Sequence, residues 1–166
     1  KDMKSKAAFG APVDPSMKVG AFPPGHFLFS FVSTGILGGL QVAGLSITPE
    51  RRQDLTWLGA AGMVASVGIA LSGIRTFKER KTPVPHGFEV QKIVTDGVFS
   101  FTRNPIYVGM VGAVGSLGLL TNSWWGAIFK AYLFCVIDRL VIPQEESYLE
   151  DKFKAEYTEY KKKVAR

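Results

Sequence analysis

Apolar positions along this chain collect into four runs separated by short polar segments. The first, 27–47, has Gln41 as its only strongly polar side chain, and the second, 55–74, carries no charge. Each is long enough to cross a bilayer core of about 30 Å at about 1.5 Å of helix rise per residue. Small residues recur at four-residue spacing in both runs (Gly35 with Gly39, Gly62 with Ser66, Gly68 with Ser72), a pattern that lets helices approach closely in lipid. The third run, 105–120, is slightly short for a span, and Gly109, Gly112, Gly115 and Gly118 form a smooth ridge along it. The fourth, 124–142, contains Lys130 about 9 Å along the helix from Trp124, and Asp138-Arg139 near its other end. Pro143 ends the run. Beyond it, Leu149, Phe153, Tyr157, Tyr160 and Val164 are spaced by three and four, which predicts one amphipathic helix over 144–166.

The polar segments sharpen these boundaries. Prolines 83 and 85 exclude a regular helix in the 75–103 loop, and Asp96-Gly97 supplies the positive-φ position of a tight turn. Asn is a strong N-cap and Pro is favoured at the first helical position, so Asn104-Pro105 predicts a helix start. Its free N–H groups, with Arg103 beside them, make an anion-binding corner. Thr121-Asn122-Ser123 permits only a tight hairpin, and Trp124-Trp125 then falls where an interfacial aromatic belt sits. The expected fold is all-α: a multi-pass membrane protein of four transmembrane helices plus a C-terminal amphipathic helix. The expected organisation is a polar tail over 1–26, a two-helix membrane scaffold over 27–74 and a functional core over 75–166.

Composition places the charge. The chain is 46% apolar yet carries a net charge of +6. Most Lys and Arg lie outside the apolar runs, in the N-terminal segment, the long loop and the C-terminal helix. That bias puts these segments and both termini on the cytoplasmic side. Uninterrupted apolar runs argue against a nucleic-acid partner and for the lipid bilayer. Residues 1–25 have no apolar core of a cleavable signal peptide. The single Cys135 excludes an internal disulfide and a Cys-based zinc site, and reads as a small core residue. His86 has no second His or Cys near it, so no metal is expected.

Three clusters converge on one side of the membrane: His86 in the proline loop, Arg103-Asn104-Pro105 with Tyr107, and Glu145-Glu146 with the tyrosines beyond. The order and spacing of Thr82-Pro83-Val84-Pro85-His86, Ile93-Val94-Thr95-Asp96-Gly97, Arg103-Asn104-Pro105-x-Tyr107-x-Gly109, Asp138-Arg139, Glu145-Glu146-x-Tyr148-Leu149 and Phe153-x-x-x-Tyr157-x-x-Tyr160 resembles the isoprenylcysteine carboxyl methyltransferase family, in its small bacterial-type branch. More distantly, it is similar to the phospholipid N-methyltransferases. The resemblance covers roughly residue 75 onward.

It implies a membrane methyltransferase using S-adenosyl-L-methionine and acting on a lipid or lipid-linked acceptor. The family's Arg-x-Pro-x-Tyr and Glu-Glu motifs map to Arg103, Pro105, Tyr107, Glu145 and Glu146, with Arg103 and Glu146 expected at the catalytic centre. His86, Asn104, Gly109 and Tyr157 complete the expected cofactor site: Asn104 as the cap of an anion-holding helix start, Gly109 as part of a ridge on which the cofactor lies, Tyr157 flanking the sulfonium or adenine. Asn104 stands where the carboxyl methyltransferases often carry His, which leaves the acceptor open. A membrane NADPH-dependent reductase of sterol-reductase type and a non-enzymatic membrane subunit are the alternatives. These motifs do not address oligomeric state.

Overall fold

A computed structural model describes residues 22–44, 52–82 and 90–166. Their regular structure is entirely helical: α1 (Pro23–Val42), α2 (Gln53–Glu79), α3 (Pro105–Leu120), α4 (Trp124–Val136), α5 (Ile142–Phe153) and α6 (Ala155–Lys163). A 3₁₀ turn, Gly97–Ser100, precedes α3, and a π-helical segment, Ile137–Val141, joins α4 to α5. Two helices, α1 with 20 residues and α2 with 27, are long and apolar enough to cross a membrane. The third has 16 residues, and the fourth has 13 before the π segment.

Helix α3 is central. Helix α2 packs along it most closely, and α1 and α4 cover its other side. Small residues make this closeness possible. A Cβ on Gly59 would stand 2.5 Å from the Leu120 backbone nitrogen, and one on Gly118 would stand 2.5 Å from the Gly126 Cα. Polar hairpin contacts fix the same end. Asn122 adopts φ 53°, its Oδ1 accepts from the Arg52 backbone N–H at 2.8 Å, and its carbonyl accepts from Gln41 Nε2 at 2.6 Å. The polar residue of the first run therefore ties that helix to the hairpin. The apolar core, Val114, Leu133, Ile137 and Ile142, lies between α3 and the α4–α5 path.

Several boundaries differ from expectation. The first helix starts at Pro23 and ends at Val42, earlier than 27–47, because a proline in the first turn forfeits no helical hydrogen bond. Residues 45–51 lie outside the described residues, as does most of the expected tail. Pro143 does not end the fourth run. It sits in the first turn of α5, and the backbone widens ahead of it, with the Ile142 N–H bonding to the Ile137 carbonyl. Proline lacks the N–H for an i−4 bond and its ring crowds the carbonyl four residues back, so a π turn carries the helix past it. The predicted helix over 144–166 breaks at Lys154, which adopts φ 44°. Its apolar face nonetheless stays together, with Tyr157, Tyr160 and Val164 buried against Ile93, Leu149 and Phe153. Cys135 is exposed rather than a core residue.

Gly109 and Gly112 do not offer a surface to a ligand. A Cβ on Gly109 would stand 2.6 Å from Ala70 Cβ and from the Ser66 carbonyl, and one on Gly112 would stand 2.4 Å from Ser66 Oγ. That part of the ridge is occupied by α2. Of the paired small residues, Gly62 and Ser66 face α3, whereas Gly68 has open space around it.

Candidate functional site

The loop before α3 is held on two sides. Gly97 takes φ 61°, as the Asp-Gly pair predicts, and opens the 3₁₀ turn. Phe99 from that turn packs edge-on against Phe77 of α2, with ring centroids 4.8 Å apart, and Val94 joins them. From the other side, Tyr160 of α6 donates its hydroxyl to the Phe99 carbonyl at 2.6 Å. The Arg103 backbone N–H bonds to the Ala165 carbonyl at 3.0 Å. The chain after α6 thus returns to the corner where α3 begins.

Arg103 is buried in that corner. Its Nη2 lies 3.1 Å from Glu146 Oε1, and each side chain retains 9% of its accessible surface. Arg166 grips the same carboxylate, with Nη2 at 2.8 Å from Oε2 and Nε at 3.2 Å from Oε1. Its Nη1 also reaches Asp138 Oδ1 at 3.3 Å, on the π segment. Burial alone raises the Glu146 pKa. The Arg166 hydrogen bond and the positive charges of Arg103, Arg166 and Lys161 outweigh it and hold the carboxyl below its usual range. Glu145, one residue earlier, accepts from the Tyr107 hydroxyl at 2.6 Å. Burial, foremost, and the nearby Glu146 charge push the Tyr157 phenol up, so it stays neutral.

Two groups in this corner are conspicuously unsatisfied. Arg103 Nε and Nη1 are buried without a hydrogen-bond partner, and so is Asn104 Nδ2. Asn104 occupies the N-cap position, and its carbonyl takes the first helical bond from the Val108 N–H at 3.0 Å. Its side chain makes no capping hydrogen bond, which corrects the expectation of a side-chain cap. Buried donors of this kind cost about 1–3 kcal/mol each when nothing meets them, so their retention points to a partner.

Two small cavities adjoin the corner, of about 90 Å³ and about 60 Å³. Phe77, Phe99, Arg103, Asn104 and Glu145 form a wall common to both. The larger cavity extends to Pro23 and Pro24 of α1 and to Ile106 and Met110 of α3, an apolar lining. The smaller extends to Glu146, Tyr157 and Tyr160.

The structure therefore brings together Arg103, Asn104, Pro105, Tyr107, Glu145, Glu146 and Tyr157. It places Gly109 against α2 instead, and His86 lies outside the described residues. Arg166 had no distinctive signal in the sequence, because it follows Lys161-Lys162-Lys163 and reads as one more charge in a solvated run.

Residues 55–156 match the family model described as phospholipid methyltransferase. The chain belongs to that family. The match starts within α2, upstream of residue 75 where the motif resemblance begins. Among curated proteins, the chain is 30% identical over 140 residues to a protein-S-isoprenylcysteine O-methyltransferase of Schizosaccharomyces pombe, covering 84% of this chain and 50% of that one. It is 32% identical over 124 residues to the Rattus norvegicus protein of the same name, covering 70% and 42%. A third, from Saccharomyces cerevisiae, is 42% identical over 74 residues, covering 43% and 30%. The chain thus spans half or less of the length of these relatives. No solved structure matches it significantly.

Proposed function

We propose that this protein is an integral membrane methyltransferase that uses S-adenosyl-L-methionine and methylates a lipid-linked carboxylate of the isoprenylcysteine type. The observation that carries the cofactor reading is Arg103, a buried guanidinium with one face committed to Glu146 and two N–H groups without partners. An arginine fixed in this way suits an anion such as a carboxylate, which accepts charge-assisted hydrogen bonds from its free N–H groups. The donor set fits the cofactor: Arg103 and Asn104 Nδ2 for its carboxylate end, Glu145 and Glu146 for its ammonium or ribose hydroxyls, Tyr107 and Tyr157 as flanking rings.

When bound, S-adenosyl-L-methionine supplies an electrophilic methyl group on a sulfonium already activated for in-line displacement. The protein's task is then orientation, a large share of the rate in such reactions. Glu146 and Arg166 hold Arg103 in place. A carboxylate acceptor needs no proton removed before attack, which agrees with a site whose Glu146 is tied into ion pairs. The apolar lining at Pro23, Ile106 and Met110 suits an acceptor arriving from the lipid. In this reading the four apolar helices all lie in the bilayer, and the termini, the 75–103 loop and α5–α6 face the cytoplasm.

Isothermal titration of purified protein with S-adenosyl-L-methionine and, separately, with NADPH tests the cofactor. Saturable binding of the former, abolished in Arg103→Ala and Glu146→Ala while helicity is retained, is the expected outcome. Unchanged affinity in both variants, or binding of NADPH alone, sinks the proposal. Incubation with labelled cofactor and either a prenylcysteine or phosphatidylethanolamine then identifies the acceptor, and a labelled amine headgroup would overturn the carboxylate reading.

A further inference from the structure

A larger cavity lies away from the Arg103 corner. It has about 700 Å³ at the hairpin end of the bundle, where the start of α2, the end of α3 and the start of α4 meet. Along α3 its wall is Gly112, Gly115 and Gly118, and its rim carries Arg52, Asn122 and Ser123. Gly115 is ten positions beyond Pro105, about 15 Å along the helix, so this space is separate from the candidate site.

Lys130 projects into it. The side chain lies across α3 at Gly115, where a Cβ would stand 2.9 Å from Lys130 Cδ and 3.7 Å from Nζ. Side chains on a helix lean toward its N-terminus, which for Lys130 is the Ser123 rim where Arg52 stands. No acidic side chain among the described residues pairs with Lys130. An unpaired ammonium against apolar helices is costly, and such residues mark ligand or ion paths. Arg52 is engaged by Asp54 at 2.6 Å, but its side chain remains 65% exposed at the rim. Ser123, only 7% exposed, has an Oγ without a hydrogen-bond partner at the first turn of α4, where free backbone N–H groups favour an anion.

An apolar trough lined by two cations, with an unsatisfied hydroxyl at its rim, is complementary to one kind of molecule. We propose that this cavity binds an anionic membrane phospholipid, its phosphate held by Lys130 and Arg52 and an acyl chain lying against Leu55, Leu119 and Ala127. An uncharged chain would leave Lys130 unpaired. The inference rests on the reading that these helices lie in a bilayer and is independent of the methyltransferase chemistry.

The full chain is reconstituted in bilayers of phosphatidylglycerol and phosphatidylcholine, checked for co-flotation, released into mild detergent and weighed by native mass spectrometry. Phosphatidylglycerol is expected to stay bound in preference to phosphatidylcholine. Lys130→Gln should lower that retention roughly fivefold, the equivalent of about 1 kcal/mol per cation beside anionic lipid. Lys130→Arg should restore it, and Gly115→Leu should exclude lipid of either kind. Cofactor binding and the melting temperature of each variant separate lipid loss from misfolding, because Lys130 is remote from Arg103. Equal retention of the two lipids, undiminished retention in Lys130→Gln, or a dimer mass in place of a lipid adduct overturns the proposal. Failure to co-float overturns the bilayer reading itself.

Discussion

Helices α1 and α2 and the C-terminal pair α5–α6 are built on opposite rules. In α1, and in α2 as far as Gly73, the inward positions past the first turn are small or polar, and large apolar side chains fill the core only between α3 and α4. Ser30 and Thr34 are fully buried, while Leu28 and Ile36 on the same helix are 61% and 60% exposed. Helix α2 repeats this, with Gly59 and Ser66 inward and Trp57, Leu58, Val64 and Leu71 outward. In α6 the order reverses: Tyr157 and Tyr160 are buried and Lys161, Lys162 and Lys163 form the last turn. In the bilayer reading proposed above, lipid gives no reward for hiding large side chains, so contact is made by backbones that small residues let approach. Water gives that reward, and α6 takes it. The Arg103–Glu146 pair joins the start of α3 to α5.

The comparison is most severely tested by filling a backbone contact. Gly118→Leu has nowhere to go against Gly126, and the cost should reach about 3 kcal/mol or more, the upper end for overpacking. Thermal unfolding in detergent reads it, and an unchanged melting temperature would show that the α3–α4 approach is looser than described. Glu146→Ala comes next. Leaving Arg103 buried without its partner should cost about 3 kcal/mol, confined to the C-terminal pair. Hydrogen exchange should quicken at Tyr160 while the amide of Val114 stays protected. Equal quickening at both would mean that the two regions unfold as one.

Tyr160→Phe should cost about 1 kcal/mol, the value of the lost hydrogen bond to the Phe99 carbonyl, and should act on α6 alone. Proteolysis of the C-terminal pair measures it. Docking of α6 should also respond to pH at both ends. Glu146 has a lowered folded pKa, so its contribution is full above the ordinary carboxylate value and is lost as pH falls through the depressed one. Burial, opposed by the Arg103 charge, pushes the Tyr160 phenol up to about 12. Its contribution is full below the ordinary tyrosine value and is lost as pH rises through about 12. Near-ultraviolet circular dichroism against pH should show both limbs, with the alkaline one reduced in Tyr160→Phe. The smallest effect is Val64→Ala. At 76% exposure it should change stability by no more than about 0.5 kcal/mol, and a larger loss would mean that Val64 has a partner.

The sequence by itself determined the features that depend on neighbours a few residues away. Helix α3 runs over 105–120 as Asn104-Pro105 and the hairpin require, Gly97 takes positive φ beside Asp96, and the face through Leu149, Tyr157 and Val164 is buried as one. These follow from local dihedral preferences and the helical period, which any short window of sequence contains. Tertiary structure decided what each side chain meets. It gave Gly109 to α2, left Asn104 without a side-chain cap and its Nδ2 without an acceptor, carried the helix past Pro143 with a π turn, and broke it at Lys154. It also returned Arg166 to Glu146, 20 residues earlier in the chain. Such partners are chosen by long-range packing, where one guanidinium competes with another for a single buried carboxylate. No periodicity records that competition, so the corner was legible from the sequence and its wiring was not.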